Sequence, residues 1–275
     1  MSPLGIVSDE ITRDFGEAVR IGASLGIRRY EVRNLAAGRA PLCGDAAMRE
    51  AERIAREEGV AITALSPGLF KWTDTEAAFR REMSEVYPRA AEWAKRWNLP
   101  GLIVFGFHKP GATEPTAAQF PSDHPPSQVR EWLVEAAARA AADGLTLMIE
   151  PEPICWCDTG RAAVALLEGL SNVRINWDPG NVAWLENRDP SGEFDIVAPY
   201  IANVHIKDIR PVNGDPEWVP AGHGIVDYAA QFRGLRRIGY EGPISLEPHM
   251  DFSVDATRRC KEAVEGLLAA MDQHR

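Results

Sequence analysis

Short apolar runs alternate along the whole chain with longer stretches in which apolar residues recur every three or four positions. The short runs fall at residues 4–7, 28–33, 60–66, 102–105, 145–150, 173–178, 201–206 and 244–247, and their length and closing polar residues predict strands. Between them lie helical patterns. Phe15, Ala18, Val19, Gly22 and Leu25 share one helical face before the Gly26 stop, and a second helix spans about 45–58 before Gly59. Phe79, Met83, Val86, Ala90, Trp93 and Trp97 predict a long helix with a kink at Pro88. Val129, Trp132, Leu133, Ala136 and Ala140 face the core from a helix over 127–143. A helix capped by Asp158 or Thr159 carries Ala163, Leu166, Leu167 and Leu170. A short helix near 194–198, another around 228–238, and a closing helix with Cys260, Val264, Leu267 and Met271 complete the series.

Eight strand-helix alternations without a composition break predict a single α/β domain over 1–275, a (β/α)8 TIM barrel. A doubly wound open sheet is the competing fold, but no glycine fingerprint follows the first strand. Three segments lack periodicity and read as irregular: 106–126, the connection from Pro179 past 189–192, and 208–224. The first is long enough to predict a functional rim loop.

Composition sharpens the picture in three places. A formal net charge of -10 repels phosphate backbones and argues against a nucleic-acid partner. Four cysteines are too few for a disulfide framework, and Cys155-x-Cys157 lacks the spacing of redox or zinc pairs, so reduced thiols are expected. No basic leader or membrane-length apolar run is visible, which predicts a cytoplasmic protein with no membrane partner. A homodimer through rim loops or outer helices is compatible with the sequence.

The chemistry gathers at the ends of four consecutive strands. The run 145–153 (LTLMIEPEP) places Glu150 at a strand end, and Asp178, His205 and Glu247 close the next three runs. A parallel barrel delivers such residues to one mouth. A rim salt bridge is the plain reading of one such acid; four groups in register point instead to a metal. Three oxygen donors and one nitrogen suit a divalent cation of intermediate hardness, Mn2+ first, with Mg2+, Co2+ and Zn2+ as alternatives.

The motifs IEP at 149–151, WDPGN at 177–181, NVHIKD at 203–208, GHGIVD at 222–227 and SLEPH at 245–249 resemble the sugar phosphate isomerase/epimerase family of xylose isomerase-like barrels. The resemblance covers essentially the whole chain and is strongest from Leu145 onward. It implies that Glu150, Asp178, His205 and Glu247 bind one divalent metal, commonly Mn2+, and that Glu150 and Glu247 also form the acid/base pair. It further implies a small carbohydrate substrate, since ketose 3-epimerases, hydroxypyruvate isomerase and inosose dehydratase belong to the family. The chain departs from the epimerases and from endonuclease IV at Asn181, where those proteins carry a histidine. An amide is a poor metal ligand, so a trinuclear zinc site is disfavoured.

The expected reaction is isomerisation or epimerisation of a keto sugar or related polyol ketone through a cis-enediolate, the metal acting as a Lewis acid. Two carboxylates then exchange the proton. A lyase acting on a keto-inositol or oxidised sugar is the alternative at the same site. An endonuclease IV-like phosphodiesterase or a non-catalytic sugar-binding barrel fits less well. Candidate substrate contacts are His108, Trp156, Asn181, Lys207, Arg210 and His223, with Trp72, Phe107, Trp184 and Trp218 as further candidates for the walls of a sugar pocket. His249 and Glu152, two residues beyond Glu247 and Glu150, read as supporting or surface groups, and His124 and His274 as solvated. No phosphate cradle of basic residues and glycines stands out, which leans towards unphosphorylated substrates.

Overall fold

A computed structural model describes residues 4–120, 124–212 and 215–273, so His274 lies outside the described residues. Eight parallel strands form one sheet: β1 (Leu4–Val7), β2 (Arg29–Val32), β3 (Ala61–Leu65), β4 (Gly101–Phe105), β5 (Thr146–Glu150), β6 (Val173–Trp177), β7 (Ile201–Ile206) and β8 (Ile244–Leu246). The hydrogen-bonded order is β3-β2-β1-β8-β7-β6-β5-β4. β3 and β4 pack against each other without a ladder between them among the described residues, which leaves the barrel nearly closed. Helices alternate with the strands, so this is a single-domain TIM barrel. No helix among the described residues is long and apolar enough to cross a membrane, and the four thiols are free.

Side chains two residues apart on each strand enter the barrel together, because successive residues of a strand face opposite sides. They stack in layers, as parallel barrels require. Ala64, Ile103 and Met148 make a buried apolar cluster. Glu31, Asn176, Asn203 and Ser245 form a polar set, all fully buried or nearly so. One step further along the strands lie Glu150, Asp178, His205 and Glu247.

The local elements follow the sequence with four corrections. The connection after Asp178 is not irregular: Pro179–Glu186 is a helix with Asp178 as its N-cap and proline in its first turn. It is short and buries its first five residues, so no amphipathic pattern marks it. Within 208–224 lies an antiparallel hairpin, Asp208–Val212 with Asp215–Val219, whose alternation Pro211 and Pro216 obscure. A smaller hairpin pairs Asn34–Leu35 with Gly38–Arg39. The irregularity near Pro88 precedes it, as a π-helical turn over Glu82–Val86 between the helices Glu76–Arg81 and Tyr87–Arg96. Proline offers no N–H to the carbonyl four residues back, which opens the helix there. The expected rim loop after β4 is mostly irregular, with 3-10 turns over Glu114–Gln119.

An aromatic cluster fixes the loops after β3 and β4. Phe70 and Phe107 stack at 4.7 Å, and Phe79 and Trp132 stack at 5.5 Å. Pairs of this kind contribute about 0.5–1.5 kcal/mol each beyond area burial. They hold Lys71 and His108 on the β3-β4 side of the mouth.

Candidate metal centre at the barrel mouth

Glu150, Asp178, His205 and Glu247 come from four adjacent strands and are all buried, with one donor atom from each lying within 4.8 Å of the others. Glu150 accepts from Asn176 Nδ2 at 3.0 Å and from Asn181 Nδ2 at 3.1 Å. Asp178 Oδ1 accepts the backbone N–H groups of Gly180 and Asn181 at 2.9 and 3.2 Å, which starts the Pro179–Glu186 helix. Its Oδ2 is buried without a hydrogen bond, although Lys207 Nζ lies 2.8 Å away. The ion-pair distance and the missing hydrogen bond are compatible: the ammonium attracts that oxygen from a poor angle, and a lone pair remains for another cation. Gly180 makes room, since a Cβ there would lie 2.4 Å from Lys207 O.

His205 is oriented from behind. Its Nε2 lies 2.8 Å from Glu31 Oε2, while Nδ1 faces Glu247 Oε2 at 3.1 Å and Glu150 Oε2 at 3.7 Å. A carboxylate on one ring nitrogen leaves the other to a metal, the usual arrangement for a ligating histidine. Below it, Asn203 Nδ2 donates to Asn176 Oδ1 at 2.8 Å. Glu31, Asn176 and Asn203 were missed as site residues by the sequence reading. Counting back two positions along each strand from Arg33, Asp178 and His205 finds all three.

The titration of the cluster reflects crowded charge. Burial lowers the affinity of His205 for a proton, but Glu31, Glu247 and Glu150 outweigh it and hold the imidazole well above its usual range. Burial likewise opposes the charge on Lys207, and Asp178, Glu247 and Glu150 restore it, well above the ordinary lysine value. Burial raises Asp178 to about 6, more than Lys207 can lower it. Burial also pushes Glu247 up, yet Lys207, His249 and His205 pull it well below the usual carboxylate range. Glu150 is lowered as His205 overcomes its burial.

A divalent cation fits this set on three grounds: an Asp178 oxygen whose one close partner is the Lys207 ammonium, the imidazole nitrogen turned inward by Glu31, and three carboxylates converging on one space. A second acidic-histidine group, Glu10, Glu247 and His249, shares Glu247. Arg33 already fills it, pairing with Glu10 at 2.7 Å, with Asp9 at 3.2 Å and with Glu247.

A family model described as the xylose isomerase-like TIM barrel matches residues 19–270. The chain belongs to this family. The L-ribulose-5-phosphate 3-epimerase UlaE of Shigella flexneri serotype 5b is 28% identical over 206 residues, 74% of this chain and 68% of that protein. For the putative UlaE of Shigella dysenteriae serotype 1, 25% identical over 198 residues, the match spans 70% of this chain and 66% of the relative's length, just under two thirds. A xylose isomerase-like barrel from Mycobacterium smegmatis, solved in complex with magnesium, superposes with a TM-score of 0.72 at 21% identity over 93% of this chain and 88% of that one. The probable 3-DHS dehydratase AsbF of Bacillus anthracis gives 0.73 at 17% identity over 96% and 99%.

Over Glu150, His205 and Glu247, three of the four candidate ligands, this xylose isomerase-like barrel opens a cleft of about 240 Å³ whose lining also includes Arg33, Arg39, Lys71, Phe105, Glu152 and His249. An adjoining space is lined by Asn181, Trp184 and Trp218. Of the six candidate substrate contacts, Lys207 lies in the cleft and Asn181 beside it. Four take other places. Arg210 is exposed on the hairpin and pairs with Glu217 at 2.8 Å, because the strand turns its side chain outward. His223 is exposed in the turn after that hairpin. His108 Nε2 meets Ala112 O at 3.0 Å and its ring sits 5.2 Å from that of Trp72, which is 64% exposed. Trp156 packs on the core, and Phe107 is fully buried. His124 is exposed. Glu152 and His249, read as supporting, both line the cleft: Glu152 pairs with Lys71 at 2.9 Å, and His249 Nε2 is 3.2 Å from Glu247.

The NVHIKD and GHGIVD motifs meet through Asp208, which carries no candidate ligand role. Its carboxylate accepts the N–H groups of Ile209, Gly222, Gly224 and Val226 at 2.9–3.1 Å. Tyr228 Oη donates to Lys207 O at 2.6 Å. Together they hold the segment that carries Lys207 against the mouth.

Proposed function

We propose that this chain is a divalent-metal-dependent isomerase or epimerase acting on a keto sugar or related polyol ketone, with Mn2+ as the preferred ion. One observation carries the reading: two carboxylates, Glu150 and Glu247, approach one space from the outer pair of four adjacent strands, with Asp178 and His205 between them. Carboxylates on two sides of a bound carbon can remove a proton from one face and return it to the other, or to the neighbouring carbon. The bound cation would supply a Lewis acid that makes the proton beside a carbonyl removable at neutral pH. Glu247, kept ionised by Lys207, His249 and His205, presents an unprotonated carboxylate, a weak base that depends on the Lewis acid to make the carbon's proton removable. Glu150, steadied by the Asn176 and Asn181 amides, stands ready on the other side. Lys207 presents an ammonium to oxygen that gains negative charge as the proton leaves. The similarity to UlaE is in keeping with this chemistry.

The test is metal titration joined to turnover. Calorimetry with Mn2+ should give one ion per wild-type chain and no comparable binding in Asp178→Asn. A panel of free ketoses and inosose should contain a compound whose conversion, followed by proton NMR, stops on chelation. Conversion that survives chelation would exclude the metal-dependent reading, and water loss instead of epimerisation would select the lyase.

A further inference from the structure

Among the described residues, Arg39 stands apart from the other arginine and lysines of the cleft in having no carboxylate within ion-pair distance. Arg33 faces Asp9, Glu10 and Glu247; Lys71 faces Glu152; Lys207 faces Asp178 and Glu247. Arg39 has no acidic partner within ion-pair distance among the described residues. Its one hydrogen bond runs from Nη2 to Ser66 Oγ at 3.2 Å, and its Nε is buried without a partner. The guanidinium lines the same cleft as Glu150, His205 and Glu247. Burial and the neighbouring Arg33 bring it down to about 10, against the weaker pull of Asp9, Glu150 and Glu31, so it stays charged at neutral pH.

The backbone is shaped to put it there. Arg39 sits on the short hairpin paired with Asn34, and its side chain crosses Gly68. A Cβ on Gly68 would lie 3.2 Å from Arg39 Nε, and Gly68 has φ +81, which disfavours any other residue. A half-buried guanidinium with a buried, unpaired Nε is costly to leave without an anion, and its fork matches a carboxylate with two parallel hydrogen bonds. The surrounding mouth is rich in carboxylates, Glu31, Glu150, Glu152 and Glu247 among them, so a doubly charged phosphate would be repelled where a single charge is tolerated.

We infer that the substrate carries a carboxylate, held by Arg39 beside Ser66 while its hydroxylated carbons reach the Glu150–Glu247 centre. The substrate class is then a keto sugar acid or a hydroxylated cyclic acid rather than a neutral or phosphorylated sugar. This rests on the proposed function for the second half of the statement only; the anion subsite stands on Arg39.

The test compares gluconate, its neutral counterpart glucitol, and inorganic phosphate by calorimetry, on chelator-treated and Mn2+-loaded protein. Gluconate should bind more tightly than glucitol or phosphate to both forms. Arg39→Gln should weaken gluconate by about tenfold or more and leave glucitol unchanged, as loss of a charge-assisted pair predicts. Arg39→Lys, which keeps the charge but not the fork, should recover part of the affinity and guards against a folding defect. Equal binding of gluconate and glucitol, unchanged gluconate binding in Arg39→Gln, or tighter phosphate binding overturns the inference. Failure of the metal reading would appear instead as absent Mn2+ uptake with the gluconate preference intact.

Discussion

The two halves of the barrel mouth are built differently. On the β5–β8 side, Glu150, Asp178, His205 and Glu247 stand at or next to strand ends, and each is fixed by a ladder of parallel pairing beneath it. On the β1–β3 side, the polar groups other than Glu31 sit on turns and a two-residue hairpin: Asp9 and Glu10 after β1, Arg33 after β2, Arg39 on the hairpin and Ser66 after β3. The first half is held by strand pairing; the second rests on turns, which tolerate change more readily. In this chain that division separates groups suited to chemistry from groups suited to substrate choice, as barrel loops generally allow.

If the strand-held half performs proton transfer, its largest effect should come from Glu247→Gln or Glu150→Gln. Either should lower turnover by about 10²–10⁴-fold with far-ultraviolet circular dichroism unchanged. Wild-type turnover in either variant would remove the acid/base assignment. Next in size is the link between the halves. Glu31 reaches from β2 to His205, so Glu31→Gln should weaken Mn2+ binding by about 10–100-fold in a calorimetric titration. An unchanged affinity would mean that the imidazole is oriented without it.

The same linkage predicts a pH dependence. Asp178 is raised to about 6 and His205 is raised well above its usual value, so both bind protons that a cation must displace. Mn2+ affinity should therefore fall as pH drops through about 6 and rise steadily above it, with protons released on binding. A flat profile between pH 5 and 8, on the order of the window tested, would contradict the coupling. The smallest effect should be structural. Asp208→Asn removes a charged acceptor from four N–H groups and should cost about 1–3 kcal/mol in urea unfolding while leaving the metal affinity nearly intact.

The same contrast explains what the sequence disclosed. Strand-end residues were legible because an apolar run points directly at them, which is why Glu150, Asp178, His205 and Glu247 could be named from the chain alone. Glu31, Asn176 and Asn203 follow from the same period-two rule but lie inside runs, where a polar residue reads as an interruption. The Pro179–Glu186 helix escaped because five of its eight residues are buried, leaving no polar face to set the period. The hairpin over 208–219 escaped because a proline on each strand, Pro211 and Pro216, breaks its alternation. Arg39 gave no local signal at all; its significance is the absence of a partner, which only the folded mouth reveals. Arg210 and His223 show the converse, since closeness in sequence to His205 and to a glycine turn leaves both exposed outside the cleft lining.

The central claim is that two glutamates exchange a proton on a carbon held at this mouth. It is tested most directly by incubating Mn2+-loaded protein in D2O with keto sugars, keto sugar acids and inosose, and following proton NMR. The account predicts deuterium entering one carbon beside the carbonyl, lost on chelation and in both Glu→Gln variants. Substrate conversion without any deuterium incorporation, or incorporation that persists in both variants, would contradict it.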